Sequence, residues 1–287
     1  MKRCIPMIST LLFLVWTGLA GAAAPVQVGL SDVIATVEKC FTADSSGQTP
    51  VNDFTANFFQ STTMSQQKRE LRGEGLISVK MPVGSTPLMF RFEYLRPNRQ
   101  EIVSDGASLW IYHPENREVI LADVGFLFIP NSFGSNRNNR SINFLQGLGR
   151  ISKDFQIVYA AGTHDVAGNY VLELTPRRPM LNTRRIYMVV SRESVLSYIN
   201  VRNPPPASQP QPTFPLKRQP LEGMTPFGQK SDLFPILSTT IDDHEGNRTT
   251  MEFTNIRINN RLPQSVFRFV IPPNVQVVRP SEQTLPH

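Results

Sequence analysis

The fold of this chain is decided at residues 75–121, GLISVKMPVGSTPLMFRFEYLRPNRQEIVSDGASLWIYHPENREVIL. β-Branched and aromatic residues alternate there with polar ones, and turn residues interrupt the run at 82–87, at 96–98 and at Asp105-Gly106. The alternation predicts four short strands, because successive side chains of a strand point to opposite faces. Asp-Gly is typical of a tight hairpin, since glycine tolerates a positive φ. We therefore predict an antiparallel sheet here.

One face of this sheet is unusually apolar. Leu88, Phe90, Phe92 and Tyr94 share one side of their strand, whereas polar residues such as Arg91 lie on the other side. Turn signals recur along the rest of the chain every 8 to 12 residues or so, which predicts about eleven strands in one β-rich domain. Two of these predicted strands cover residues 195–201 and 266–271.

Two short helices are predicted beside the strands. The first is capped by Ser31-Asp32 and places Val33 and Val37 on one apolar face. The second begins at Ser141, carries Phe144 and Leu148, and ends at the glycines at positions 147 and 149. Its apolar face is wide for its length, so we expect this helix to cover an apolar surface.

The beginning of the chain predicts secretion. Lys2 and Arg3 precede an apolar run at residues 8–19 and small residues at 21–24, as in a secretory signal peptide. We expect a signal peptide over residues 1–23 and a mature chain over residues 24–287. The alternative is an uncleaved anchor, which no stop-transfer pattern supports. Cys40 is the only cysteine of that mature chain, so an intramolecular disulfide is excluded. We interpret it as a small buried hydrophobic residue.

A proline-rich insertion interrupts the domain at residues 203–235. It contains nine prolines and little periodicity, and it therefore cannot pair as a central strand. One interpretation is a loosely docked surface segment. The other is a segment that binds a partner through apolar residues such as Phe214 and Phe234.

The usual signatures of enzymes are absent from the sequence. It contains no GxSxG, HExxH, GxxxxGK[ST] or CxxC motif, so we predict no catalytic activity, no cofactor and no metal. The acidic run at residues 242–245 is interpreted as a solvated hairpin turn and not as a cation site. The net charge of +6 is scattered, which argues against nucleic-acid binding.

The sequence contains more apolar side chains than a single flat sheet buries. Two sheets packed face to face would bury them, and so would a curved sheet that encloses a cavity under helices. Composition alone leaves both architectures open.

A family resemblance favours the second architecture. The run IVSDGASLWIYHP at residues 102–114, preceded by FRFEY at 90–94, resembles the signature of LolA-type periplasmic lipoprotein carriers. FTANFFQ at residues 54–60 and FRFVIPPNVQV at 267–277 are similar to the ends of that family. The resemblance covers nearly all of the predicted mature chain outside the insertion.

The resemblance implies a mainly β fold, an incomplete and unclosed antiparallel β-barrel whose hydrophobic concave face is covered by short α-helices. It implies a periplasmic chaperone, a monomer without a cofactor, that binds the acyl chains of lipoproteins and carries them from the inner to the outer membrane. The implied partners are acylated lipoproteins, an inner-membrane lipoprotein-releasing transporter and an outer-membrane lipoprotein receptor. The acyl-chain-binding residues that it implies are Phe90, Phe92, Leu88, Trp110, Val33, Val37, Phe144 and Leu148.

One position departs from the family pattern. Where the family has Lys-Arg-Pro, with an arginine that holds the covering helices closed, this chain has Lys80-Met81-Pro82. Either Lys80 or Arg91 replaces that arginine, or apolar contact holds the helices. Two alternatives to a lipoprotein carrier therefore stay open, namely a regulatory or sensor domain that binds an envelope protein, and a carrier of another amphiphilic lipid.

Overall fold

The structure is a computed structural model that describes residues 28–43, 50–83, 85–123, 147–180, 183–202 and 234–279. These residues form three α-helices, α1 (Leu30–Phe41), α2 (Ile151–Asp154) and α3 (Arg192–Arg202), and one sheet of twelve strands. The strands are β1 (Asp53–Met64), β2 (Arg69–Lys80), β3 (Met89–Arg96), β4 (Gln100–Ser104), β5 (Ser108–His113), β6 (Glu118–Asp123), β7 (Phe155–His164), β8 (Tyr170–Pro176), β9 (Arg185–Val190), β10 (Ile236–Asp242), β11 (Arg248–Ile258) and β12 (Gln276–Val278).

The sheet is open. Its strand order is β12-β6-β5-β4-β3-β2-β1-β11-β10-β9-β8-β7, so β12 and β7 form two separate edges. Every neighbouring pair is antiparallel except β12 with β6, which is parallel. The predicted unclosed antiparallel barrel is therefore confirmed, and the two-sheet sandwich is excluded for the described part of the chain.

The apolar side chains of the central strands point to one face, the inner face. The register places Phe54 opposite Val79 and Val79 opposite Phe90, while Ile77 lies opposite Phe92. All five side chains are buried in one contiguous cluster. Since a fully buried side chain of this kind contributes about 1.5–3 kcal/mol, the inner face depends on whatever covers it.

Helix α1 begins two residues earlier than the predicted cap. Its N-cap is Gly29, and the Asp32 carboxylate accepts a hydrogen bond from the Gly29 N–H at 3.1 Å. The predicted cap at Ser31-Asp32 is therefore wrong, because Asp32 acts from the third helical position. The predicted apolar face is correct, since Val33 and Val37 are fully buried.

Residues 195–201 are helical, so the predicted strand there is wrong. The Ser191 hydroxyl accepts a hydrogen bond from the Ser194 N–H at 3.3 Å, and the Ser191 carbonyl accepts one from the Val195 N–H. This capping starts α3, which buries Val195 and Ile199 four residues apart on one helical face. The apolar residues of this run therefore form the buried face of a helix and not a strand.

The second predicted helix is described only at its end. Residues 141–146 lie outside the described residues, and the glycines at 147 and 149 do not end the helical structure as predicted. A 3₁₀ turn, Leu148–Arg150, leads directly into α2. Gly149 is required there by close packing, because an added Cβ would lie 2.8 Å from the carbonyl oxygen of Phe41.

The predicted last strand at 266–271 is also wrong. A 3₁₀ turn, Gln264–Phe267, occupies its start, and the chain then continues to β12 at the edge of the sheet. We call residues 259–279 the C-terminal arm. The arm lies on the outer face, where Lys80 Nζ donates to the Leu262 carbonyl at 2.8 Å and the Phe269 ring stacks on Trp110. Phe267 is fully buried outside the inner-face cluster.

Packing of the arm against the outer face should stabilise the fold independently of the inner face. Phe267→Ala should lower the free energy of unfolding by about 3–5 kcal/mol, because it leaves a cavity under the arm. Val270→Ala is the control, since Val270 is 84% exposed and its truncation should cost less than about 0.5 kcal/mol. Urea denaturation measures both values. Equal effects of the two substitutions would show that the arm does not pack as described.

Candidate functional site

A row of aromatic rings runs along the inner face. The ring centroids of Phe90 and Phe92 are 6.0 Å apart, Phe92 lies 5.7 Å from Phe58, and Phe58 lies 4.9 Å from Tyr94. Each pair has the edge-to-face geometry that aromatic side chains favour. Alternation along β1 and β3 produces the row, because only every second residue points inward.

Helix α1 covers one end of this face together with a residue from the end of the proline-rich insertion. Phe234 is buried, with its ring centroid 5.8 Å from Phe41 of α1 and 4.6 Å from Phe54 of β1. The Ser191 N–H donates to the Pro235 carbonyl at 2.8 Å and fixes this segment beside α3. The end of the insertion is therefore part of the core, while residues 203–233 lie outside the described residues.

Few polar contacts hold α1 in place. The Glu38 carboxylate accepts hydrogen bonds from the N–H and the hydroxyl of Ser152, at 2.8 and 2.7 Å. The Thr42 hydroxyl lies 3.0 Å from the Gly149 carbonyl, to which it donates. An ion pair between Asp32 and Arg202 of α3 spans 3.4 Å at an exposed position, where such pairs contribute little. Burial of its apolar side holds α1 more strongly than these contacts.

The structure brings most of the predicted acyl-chain residues together. Those found in the inner-face cluster are Leu88, Phe90, Phe92, Val33, Val37 and Leu148. Phe90 is 1% exposed and Phe92 is 2% exposed, so both lie beneath the cover. Phe144 lies outside the described residues.

Trp110 is not part of this site. Its ring stacks on Phe269 of the C-terminal arm with centroids 6.4 Å apart, whereas its strand neighbours Leu109 and Ile111 belong to the inner-face cluster. The prediction placed Trp110 with the inner aromatics, but the alternation of β5 points its side chain outward.

The two basic residues expected to replace the family arginine also point outward. Arg91 pairs with Glu93 and Glu101, each at 2.6 Å, and its guanidinium lies 3.4 Å from the Val266 carbonyl of the arm. Lys80 likewise reaches the arm and not the helices. The expectation that Lys80 or Arg91 holds the helices closed is therefore wrong.

Met81, by contrast, is buried in the inner-face cluster. Its neighbour Pro82 is exposed. The side chain at the family's arginine position thus contributes apolar contact, which agrees with the second of the two predicted alternatives.

The far end of the aromatic row is polar, and sequence reasoning missed it. Tyr94 Oη donates to Gln60 Oε1 at 2.9 Å, and both residues are buried. Burial also raises the pKa of the Tyr94 hydroxyl, so it stays protonated at neutral pH. The signal was available, because Gln60 and Gln100 hold the positions at which an apolar residue would continue the alternation of their strands.

An open groove of about 980 Å³ lies beside Phe234. The first turn of α3 contributes Ser191 and Ser194 to its lining, and the sheet contributes residues such as Leu237 and Phe253. The groove thus borders both the covering elements and the sheet.

No metal site is found among the described residues. The Asp242 carboxylate instead binds Arg248 at 2.7 Å and lies 3.4 Å from Arg185, and these contacts hold its pKa below the usual range. Asp243 accepts hydrogen bonds from the N–H and the side-chain amide of Asn247, both at 2.7 Å. These carboxylates therefore organise a hairpin turn. In the part of the chain that is described, no helix has the length and apolarity required to span a membrane.

Comparison with known proteins agrees with this architecture. The model of the outer membrane lipoprotein carrier protein LolA family matches residues 49–205, which is more than half of the chain. The chain belongs to the LolA family. The matched region includes β1 to β9 and α3, and therefore the strands that carry the aromatic row.

Two relatives set the degree of similarity. The outer-membrane lipoprotein carrier protein of Xanthomonas oryzae pv. oryzae is 26% identical over 152 residues, which cover 50% of this chain and 65% of the relative. That of Hahella chejuensis is 23% identical over 230 residues, covering 80% of this chain and 83% of the relative. The chain thus spans about two thirds of the Xanthomonas protein and most of the Hahella protein.

Among solved structures, a DUF1329 family protein from Desulfovibrio piger matches 83% of this chain and 96% of its own. The identity is 13% and the TM-score is 0.42. A likeness of this degree supports no conclusion about function.

Cys40 gives a test of how tightly α1 covers the sheet. The Cys40 side chain is half-buried, and burial raises the pKa of its thiol to about 12, so the reactive thiolate should be much scarcer than in the unfolded chain. In a protein of residues 24–287, iodoacetamide at pH 8 should therefore modify Cys40 far more slowly in buffer than in concentrated urea. Mass spectrometry follows the reaction, and equal rates in both solvents would contradict the burial of this side of α1.

Proposed function

We propose that this protein is a periplasmic carrier that binds the acyl chains of lipoproteins between the inner face and α1, and moves them from the inner to the outer membrane. The contiguous apolar cluster beneath a helix with few polar contacts, in a chain of the LolA family, is the observation that supports this function. The partners that follow are acylated lipoproteins, an inner-membrane transporter that releases them and an outer-membrane receptor.

The physical basis is burial of hydrocarbon. Each methylene of an acyl chain gains about 0.8 kcal/mol when it leaves water, so several chains could not cross an aqueous space unshielded. Phe90 and Phe92 are already buried in this structure, and an incoming chain would therefore displace side chains that now contact them. The net free energy of binding is the difference between the free energy of the contacts with the acyl chain and that of the contacts which the chain displaces. Such a balance suits a carrier, which must also release its cargo.

Apolar cover at Met81 has a consequence for release. Arginine donors have strict geometry, whereas contact through a thioether side chain adapts to many arrangements. We expect the cover of this protein to open gradually with the size of the cargo. Transfer by exchange of apolar contacts needs no covalent step.

Release of lipoproteins from spheroplasts tests the function. Residues 24–287 added to spheroplasts of a bacterium that makes acylated lipoproteins should bring these proteins into the supernatant. Phe92→Gln should reduce the release at least about tenfold, because a buried amide without a partner opposes an acyl chain on this face. Phe269→Gln is the matched control on the outer face and should retain the release.

Circular dichroism and thermal unfolding must first show that both variants are folded. A folded wild-type protein that releases no lipoprotein would overturn the proposal. Mass spectrometry of co-purified material separates the cargo classes, since a glycolipid in place of a lipoprotein would indicate a carrier of another amphiphile.

A further inference from the structure

The polar end of the aromatic row contains a buried donor with no evident structural use. Gln100 lies opposite Tyr94 in the β3–β4 register, and partners in register point to the same face. Gln100 is 9% exposed, and its Nε2 is buried without a hydrogen-bond partner among the residues that the structure describes. Buried polar groups are nearly always paired, and an unpaired one destabilises the fold.

The neighbouring polar side chains form hydrogen bonds with one another and not with Gln100 Nε2. Tyr94 Oη donates to Gln60 Oε1 at 2.9 Å, and Gln60 Nε2 lies 3.5 Å from the Thr62 hydroxyl. Thr62 in turn lies 3.2 Å from the hydroxyl of Thr249. The network is thus built of neutral groups, and it provides a polar wall beside the unpaired amide.

The backbone makes room for this arrangement. Gly73 lies opposite Gln60 on β2, and a Cβ added to it would come within 3.1 Å of the Tyr94 ring. The absence of a side chain at Gly73 therefore allows the Tyr94 ring to lie flat on the strand. In this position its hydroxyl reaches Gln60, and its ring contacts Phe58 in the aromatic row.

We propose that Gln100 Nε2 donates a hydrogen bond to an ester carbonyl oxygen at the head of an acyl ligand whose tail follows the row towards Phe92 and Phe90. This inference rests on the proposed function. Tyr94 and Phe90 are four residues apart on one strand, or about 13 Å, so the row offers a track for hydrocarbon that ends at a donor. A neutral amide fits a neutral ester better than a free carboxylate, for which a cationic partner would be preferred.

A pair of lipids that differ only in the ester carbonyls tests the proposal. The probes are S-(2,3-dipalmitoyloxypropyl)cysteine and the corresponding diether, in which two hexadecyl chains are attached through ether oxygens. Each lipid is titrated, in the same detergent, into a protein of residues 24–287 that carries a bound fluorescent fatty acid. Displacement of the fatty acid, followed by its own fluorescence, gives the dissociation constant of the lipid. Wild-type protein should bind the diester about five- to tenfold more tightly than the diether, as one hydrogen bond contributes.

Gln100→Leu should abolish this preference and leave the affinity for the diether unchanged or higher. Gln156→Leu, the same substitution at an exposed position of β7, should retain the preference. Because Gln100 Nε2 is buried without a partner among the described residues, Gln100→Leu and Gln100→Met should also keep or raise the melting temperature. Tyr94→Phe should lower it by removing a buried hydrogen bond.

These outcomes distinguish a failure of the Gln100 hydrogen bond from a failure of the carrier function. Equal binding of diester and diether by the wild-type protein overturns the role of Gln100 but leaves the carrier function standing. A preference that survives in both Gln100→Leu and Gln100→Met overturns it as well. If the folded wild-type protein binds neither probe, the proposed function fails and this inference fails with it.

Discussion

The cover over the apolar inner face is the constraint on which the rest of this structure depends. Twelve strands in one open sheet present a continuous apolar surface, and an open sheet cannot bury that surface against itself. Helices α1 and α3, the helical turns around Leu148 and the ring of Phe234 supply the missing layer. This layer is made of short separate pieces that come from distant parts of the chain.

The two faces of the sheet are covered by different parts of the chain. Charged and aromatic residues on the outer face, notably Arg91 and Trp110, are engaged by the C-terminal arm. That arm ends as β12, a three-residue edge strand that pairs in parallel with β6 and leaves only a short edge of the sheet unpaired there. Stability is thus supplied in part from the outside. The inner face, by contrast, is covered by the helices and by Phe234.

Local patterns in the sequence predicted the central strands well and the covering elements poorly. Alternation of Phe90 and Phe92 with polar residues fixes a face, since the period of a strand is two. The apolar residues at 195–201 suggest a strand, whereas Ser191, three residues before Ser194, lies at the N-cap position and starts a helix. The outward direction of Trp110 followed from alternation with Leu109 and Ile111, yet the family resemblance outweighed that pattern in the prediction. Contacts between distant segments, such as Glu38 with Ser152, leave no local signal at all.

The proposed function places acyl chains on the inner face, against the aromatic row. Intermolecular nuclear Overhauser effects measure this directly, in a complex of residues 24–287 with a diacyl lipid whose methylene protons are resolved. We expect contacts from these methylenes to the ring protons of Phe92 and Phe90 and to the methyl groups of Val37. Contacts to Trp110 and Phe269 on the outer face, with none to Phe92, would contradict it.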